Sequence, residues 1–258
     1  MTFPQSTLED LVESERQMVL GAEARFGKYW VAARESSILL SRCIDAIDED
    51  RMHVGRFNAI LKKHHLLAIM STVRLHKSQP MWNLRQVLEA GAHAAFAIAN
   101  PDDEHFFEWE DGLPVLSKKP TRKRYDWLEQ NHKALSDAIK AKKDRLNESQ
   151  THANVVTSHS VFRIEGDQVH APFFDIEDEF HVKLDLWLAM AIALDMMKLF
   201  REVNQGRNVI KFVENFDLHL ATLEERTVAL WNEIGATERM QRALQRAQAA
   251  QPAAENGG

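Results

Sequence analysis

The fold of this chain is decided by the stretch MWNLRQVLEAGAHAAFAIAN, residues 81–100. Its second half, residues 90–99, consists mostly of alanine with one glycine, and such small residues allow neighbouring backbones to approach closely. Pro80 stands just before the stretch, where proline is tolerated in the first turn of a helix, and Pro101 stands just after it. The pattern predicts one helix in close contact with its neighbours.

Helical patterns continue on both sides of this stretch. The chain has only ten glycines and seven prolines in 258 residues, so long helices are expected. Apolar residues recur at helical spacing through most of the sequence, and an irregular segment follows the alanine-rich helix. Helices are predicted over residues 7–47, 54–77, 80–100, 123–147, 176–204 and 209–234, and the irregular segment over residues 101–121. The first of these ranges is expected to be one broken helix or two, with Gly21 and Gly27 as its weak points.

The periodicity of the sequence changes from 3.6 to 2 after His152. The segments VFRI (161–164) and QVHAPFF (168–174), with Gly166 in the turn between them, predict a small β-hairpin. The predicted fold is therefore all-α, a multi-helix bundle of about six or seven helices with one small β-hairpin insertion near residues 161–174.

The composition of the sequence predicts its domain organisation and its cellular compartment. No repeat or linker divides the chain, so residues 1–236 are expected to form a single helical domain and residues 237–258 a fraying helix with a disordered tail. A single cysteine, Cys43, and the absence of an apolar leader predict a cytoplasmic protein. The most apolar run, residues 186–194, has about half the length that spans a bilayer, which predicts a buried helix and no membrane association.

The alanine-rich helix carries one polar stripe, formed by Arg85, Glu89 and His93 at intervals of four residues. Polar groups on such a helix are expected to be half-buried and to need partners. Two interpretations stand at this point. In one, the stripe faces His152 across a shared cleft; in the other, it is an internal ion pair with a capping histidine.

Arg145 and His152 stand seven positions apart in RLNESQTHANVVTSH, residues 145–159. If one helix contains both, seven residues turn by about 700°, which is about 20° less than two full turns, so the two side chains lie on nearly the same face. Ser149 lies close to that face as well. A neutral histidine can take a proton from a ribose hydroxyl, and an arginine can stabilise the developing phosphorane charge through bidentate hydrogen bonds. The pair is a candidate catalytic site for metal-independent RNA cleavage, with no cofactor.

Basic residues are concentrated beside this pair. Between Lys118 and Arg145 there are ten basic and four acidic residues, a net charge of +6 in a chain whose net charge is −6. Such a concentration, which includes Lys142, could steer RNA towards the site. The alternative is structural, because cations gather at helix C-termini and charge runs commonly form the solvated face of a helix.

The spacing of Arg145 and His152 resembles the Arg-x(4 to 6)-His motif of HEPN domains, which are all-helical. The resemblance implies a protein of bacterial defence or stress type, since many HEPN members cleave RNA and members often form homodimers. HEPN nucleases usually carry Asn, Asp or His directly after the arginine. This chain has Leu146 there and Asn147 one place later, a departure that concerns catalysis more than fold.

A second resemblance concerns NLRQVLEA, which is similar to an Arg-x-x-x-Glu helix found in some bacterial all-helical families. In those families a polar residue and a histidine follow later in the chain. The polar residue here is Asn147 or Ser149, and the histidine is His152. The residues proposed to support binding around the catalytic pair are Arg85, Glu89, Lys142, Asn147 and Ser149.

Metal chemistry is not predicted. His64-His65 and Glu104-His105 could each supply one ligand, but adjacent helical histidines diverge by about 100°. The pair Glu129 and His132 is the sole Glu-x-x-His in the sequence, whereas a di-iron bundle needs two. Four tryptophans in helical apolar patterns are predicted to be core rather than base-stacking residues, namely Trp82, Trp127, Trp187 and Trp231. Asp195 is predicted to be buried and paired with Lys198 or with an arginine from a neighbouring helix.

Two functional hypotheses follow from the sequence. In the first, a HEPN-like protein binds or cleaves RNA through Arg145 and His152. In the second, the chain is a non-catalytic helical scaffold that binds a protein partner or a small ligand, and the same polar residues serve its structure. The exposure of Arg145 and His152 discriminates between the two, because a catalytic pair must be open to its substrate.

Overall fold

The computed structural model describes residues 7–115, 118–150, 162–165, 168–175 and 178–250. These residues form ten α-helices, which confirms the all-α prediction and exceeds the six or seven helices expected. The helices are α1 (Leu8–Leu20), α2 (Ala22–Phe26), α3 (Lys28–Arg42), α4 (Met52–Val73), α5 (Ser78–Ala99), α6 (Lys118–Asn131), α7 (Lys133–Gln150), α8 (Glu179–Asn204), α9 (Phe216–Gly235) and α10 (Glu238–Ala250).

The alanine-rich helix α5 lies between several neighbours, as its composition predicts. It packs against α4, α6, α7 and α8. Gly91 marks the closest approach, because a β-carbon at this position would overlap the sulfur of Met196 on α8 and touch Leu61 on α4. A glycine is therefore required where these three helices meet.

Helix α8 forms the centre of the hydrophobic core. Its apolar run includes Leu186, Met190 and Ile192, all fully buried, and the helix packs against α3, α4, α5 and α9. The buried helix predicted over residues 186–194 is thus present. Among the described residues, none of the helices combines the length and hydropathy needed to cross a bilayer.

Three two-stranded antiparallel sheets accompany the helices in the described ranges. The predicted hairpin is present as β4 (Arg163–Glu165) with β5 (Gln168–His170). The other two sheets were not predicted. They pair β2 (Glu108–Glu110) with β3 (Leu113–Val115), and β1 (Ile44–Ile47) with β6 (Ile210–Phe212).

The segment predicted to be irregular, residues 101–121, therefore contains a hairpin, and α6 already begins at Lys118. Asp111 and Gly112 turn the β2–β3 hairpin, both with φ in the left-handed region. Two central residues with positive φ match the right-handed twist of the flanking strands.

Several predicted helices are divided in the structure. Residues 7–47 form three helices and strand β1, one helix more than expected. The breaks fall at the two predicted weak points, Gly21 between α1 and α2 and Gly27, whose φ is 52°, between α2 and α3. The helix predicted over 123–147 is interrupted at His132, which separates α6 from α7. The last predicted helix begins as strand β6, and α9 starts only at Phe216.

Candidate functional site

The polar stripe of α5 forms an ion-pair network with α7. The Arg85 Nε donates to Glu89 Oε1 at 3.1 Å, and the Nζ atom of Lys143 lies 3.1 Å from the same carboxylate oxygen. All three side chains are partly buried. The structure thus contains the internal ion pair that one sequence interpretation predicted, together with a second cation that the sequence did not indicate.

Helix periodicity places Lys143 inside the protein. Ile139 and Leu146 of α7 are buried, and Lys142 and Lys143 lie between them on the inner side of the helix. Lys143 also donates to the hydroxyl oxygen of Tyr125 at 3.2 Å, and its ammonium lies 4.6 Å from the centre of that ring. A single ammonium therefore joins α5, α6 and α7.

The charges of this network shift the pKa values of its members. Burial alone would raise the pKa of Glu89, but Lys143 and Arg85 outweigh it and hold the pKa below its ordinary value. Burial opposes the charge on Lys143, yet Tyr125 and Glu89 raise its pKa overall. Both groups are therefore charged at neutral pH.

His93, the third residue of the stripe, packs among aromatic rings. Its ring lies 5.1 Å from Phe57 and 6.2 Å from Tyr125, both edge-on. Burial, and secondly the nearby charge of Arg124, lower the pKa of His93 to about 3, so the ring is neutral at pH 7. His93 does not cap the helix, which continues to Ala99. The capping role predicted for this histidine was wrong.

Lys142 is also turned inward and forms an ion pair with Asp195 of α8, with both side chains largely buried. Asp195 was expected to pair with Lys198 or an arginine, but Lys198 instead reaches Glu224 on α9. Lys142, a candidate binding residue, is therefore neutralised inside the protein rather than presented to a phosphate.

Arg145 differs from Lys142 and Lys143 in its exposure and in its lack of a described partner. Its side chain is exposed, and it forms no ion pair or hydrogen bond with the rest of the described chain. Asn147 is partly buried on the same helix, and Ser149 lies on the last turn of α7. His152, the second residue of the proposed catalytic pair, lies outside the described residues. Of the proposed catalytic pair, the structure therefore describes Arg145 alone, and its side chain is open to solvent.

The part of the basic segment whose side chains the structure describes, residues 122–145, does not form a strongly basic surface. In the range 122–145 the side chains of five basic and four acidic residues are exposed, which leaves a surface charge of +1. Three units of the difference from the sequence count arise because Arg124 is buried and Lys142 and Lys143 point inward. The other two units are Lys118 and Lys119, which the sequence count includes and this range does not. Exposed cations are also paired locally, as in Arg122 with Asp126 and Lys133 with Asp137. Extended electrostatic attraction of a polyanion is therefore weak here.

A groove of about 680 Å³ runs along α6 and is named here the α6 groove. Its lining residues combine aromatic rings, cations and side-chain amides. They are Phe96, Asn100, His105, Arg122, Lys123, Asp126, Trp127 and Gln130. Such a mixture suits a nucleotide, because a ring can stack on a base while a cation contacts its phosphate.

Sequence reasoning missed this groove because it assigned Trp127 to the core. The ring is partly buried and packs edge-on against Phe96 at 5.5 Å, yet it also lines the α6 groove. The available signal was local, since Arg122 and Lys123 stand five and four positions before Trp127 on one helix. Trp82 was also predicted to be core, and it is half-exposed.

One group among the described residues has the geometry of metal ligands. The ligand atoms of Asp102, Glu104 and His105 lie within 4.8 Å of one another. The ammonium of Lys123, however, lies 3.0 Å from His105 Nδ1 and would repel a cation there. His64 and His65, which were considered as ligands and set aside, bond to different groups, His64 to Asn83 and His65 to the carbonyl of Ala189.

Comparison of the chain with protein-family models, with curated proteins and with solved structures found no match.

Proposed function

We propose that this chain binds single-stranded RNA on helices α6 and α7 and cleaves it without a metal ion, with Arg145 and His152 as the catalytic pair. The observation that carries the proposal is the state of Arg145. Its guanidinium is exposed and unpaired within the described residues, so its N–H donors remain available for a phosphate. The resemblance of the pair to the HEPN motif supports the same activity.

Single strands are favoured over duplexes by the charge of the surface. Duplex binding rests on the neutralisation of many phosphates, and the exposed side chains of residues 122–145 sum to only +1. The α6 groove instead offers Trp127 to an unpaired base and Arg122 and Lys123 to the adjoining phosphate. With Arg145 as the third cation, the logarithm of the affinity should fall with the logarithm of salt with a slope of about −2.

The chemistry assigned to the pair is a transesterification. His152 takes the proton of a ribose 2′-hydroxyl, the 2′-oxygen attacks the adjacent phosphorus, and the 5′-oxygen leaves and is protonated. Arg145 stabilises the negative charge of the phosphorane through paired N–H donors. The products are one strand that ends in a 2′,3′-cyclic phosphate and one that begins with a 5′-hydroxyl.

The test is cleavage of a labelled single-stranded RNA by the full chain in excess EDTA. Wild-type protein is expected to cleave, and Arg145→Ala and His152→Ala are expected to lose activity at least 100-fold. The matched control is Lys140→Ala, another exposed cation of α7 without a partner in the described ranges. Equal losses in Lys140→Ala and Arg145→Ala would assign the effect to general charge and would contradict the proposal.

The second candidate is a non-catalytic helical scaffold that binds a protein partner or a small ligand. It is favoured by the pairing of Arg85, Glu89 and Lys142, each of which contacts another charged side chain inside the bundle. This candidate expects intact RNA and a role in stability for the polar residues. Arg145→Ala separates the candidates. If Arg145 is catalytic, cleavage is lost and the melting temperature stays nearly unchanged, because the side chain is exposed; the scaffold candidate instead expects the melting temperature to fall by several degrees.

The proposal extends to the cellular setting. A cytoplasmic protein of bacterial defence or stress type, acting as a homodimer, agrees with the HEPN resemblance. Light scattering coupled to gel filtration measures the oligomeric state directly. A monomer at the concentrations at which RNA is cleaved would remove the dimer from the proposal without affecting the catalytic pair.

A further inference from the structure

A second groove of about 530 Å³ lies between α3 and α9, named here the α3–α9 groove. Its apolar wall is formed by Ile38, Leu39, Val213 and Leu223. The volume lies within the range of pockets that take small organic ligands. None of its lining residues belongs to the α6 groove, so it is a separate feature of the fold.

The β1–β6 sheet holds the two walls of the groove in place. It joins the end of α3 to the start of α9, with Ile44 opposite Phe212. The Val213 N–H donates to the carbonyl of Cys43 at 3.0 Å, and the rings of Phe212 and Phe216 stack at 4.3 Å. The groove is therefore preorganised, which lowers the entropic cost of binding a ligand.

The apolar wall of the groove leaves hydrocarbon in contact with water. Ile38 is 46% exposed, while Leu39 and Val213 are partly buried and Leu223 is buried. Covering such a surface with the apolar part of a ligand is favourable in proportion to the area removed from water. The occupant must therefore have a substantial hydrocarbon body.

The rim of the groove selects the head group of the ligand. Arg42 and His219 are both exposed, and the side chain of neither forms an ion pair or hydrogen bond with another described residue. Arg226 is already neutralised by Glu35. Glu214 also lines the groove and opposes an anion, so the donors Arg42 and His219 must outweigh it. A guanidinium matches the geometry of a carboxylate.

We infer that the α3–α9 groove binds a small amphipathic carboxylic acid, with its hydrocarbon chain along Ile38 and Leu223 and its carboxylate at Arg42 and His219. The inference does not depend on RNA binding, because the two grooves share no residue. A neutral molecule with the same chain would leave the Arg42 charge unused, and an amine would be repelled by it.

The experiment is calorimetric titration of the full chain with decanoate, below the concentration at which it forms micelles. Decanoate is expected to bind at least tenfold more tightly than decanol, and decylamine more weakly still. Arg42→Gln should weaken decanoate binding about tenfold, since a charge-assisted bond is lost. Glu214→Gln should strengthen it, because a repelling charge is removed.

Two variants make the result specific to the groove. Arg34→Gln is the matched control, because Arg34 is an exposed arginine of α3 that pairs with Glu23 and does not line the groove. Its affinity for decanoate should equal that of the wild type. Thr222→Trp places an indole in the groove from its exposed rim and should abolish binding while the circular dichroism spectrum is unchanged.

Three results would overturn the inference. The first is equal affinity for decanoate and decanol, and the second is unchanged affinity in Arg42→Gln. The third is a chain that binds no decanoate and changes its oligomeric state on Thr222→Trp, which would assign the groove to a second copy of the chain.

Discussion

The ion pair between α5 and α7 allows a quantitative prediction for Glu89→Gln. The amide keeps the volume of the side chain but removes the negative charge that faces Lys143 and Arg85. Disruption of a fully buried pair costs about 3–5 kcal/mol, and an exposed pair contributes about 0–1 kcal/mol. Glu89 and Lys143 retain 28% and 23% of their side-chain exposure, so a loss of about 2 kcal/mol is expected.

Calorimetry measures this loss as a change in melting temperature. A loss of 2 kcal/mol in a chain of this size corresponds to a decrease of about 4–8 °C. Because the pKa of Glu89 is lowered in the folded state, its contribution is present above the unfolded-state pKa of about 4.3 and is lost as pH falls through the folded value. The difference between Glu89→Gln and wild type should therefore disappear at low pH.

The control for this prediction is Asp137→Asn, which removes the carboxylate of an exposed i, i+4 pair on α7. Its melting temperature should change by less than about 2 °C. Replacing Lys143 by Gln in addition to Glu89→Gln should recover part of the loss, because the more deeply buried of the two cations left without the carboxylate is then removed and only Arg85 remains. Equal small effects of Glu89→Gln and Asp137→Asn would refute the reasoning.

Three further predictions concern the core. His93, with a folded pKa of about 3, takes up its proton only on unfolding between about pH 6.5 and 3, so stability should fall there by about 1.4 kcal/mol per pH unit as pH decreases. His93→Phe should reduce by that amount the slope of unfolding free energy against pH, with each free energy measured by urea titration. An unchanged slope against pH would argue against a neutral native histidine. Gly91→Ala should lower stability by about 1–3 kcal/mol through overlap with Met196, and the same change should cost less in a Met196→Ala background if the overlap is the cause. Asn204→Ala should cost about 2–4 kcal/mol, because its amide bonds both the N–H and the carbonyl of Ile210; a cost below 1 kcal/mol in chemical denaturation would contradict this role.

Local patterns in the sequence were sufficient to predict the main helices. Helix α5 was predicted because small residues and two prolines define it within 22 residues, and the contact of Gly91 with Met196 explains why alanine and glycine occur there. The β4–β5 hairpin was predicted for the same reason, since its strands are adjacent in the chain. Strand β1 was not, because its partner β6 lies more than 160 residues later and no local signal connects them.

The same limit applies to the candidate site. Arg85 and Glu89 stand four positions apart on one helix, so their pairing could be predicted from spacing. The third member, Lys143, comes from another helix and could be identified only from the packing of α5 against α7. For the same reason the sequence overestimates the surface charge of the basic segment. A count of residues cannot tell that Lys142 and Lys143 turn inward.

In the proposed function, Arg145 and His152 cleave single-stranded RNA by attack of a ribose 2′-hydroxyl. The most direct measurement is the mass of the products formed from a single-stranded RNA of defined sequence in excess EDTA. Fragments that end in a 2′,3′-cyclic phosphate, absent from an all-2′-O-methyl copy of the same strand and absent with His152→Ala, are the expected result. Recovery of the intact strand after incubation with folded wild-type protein would contradict the account.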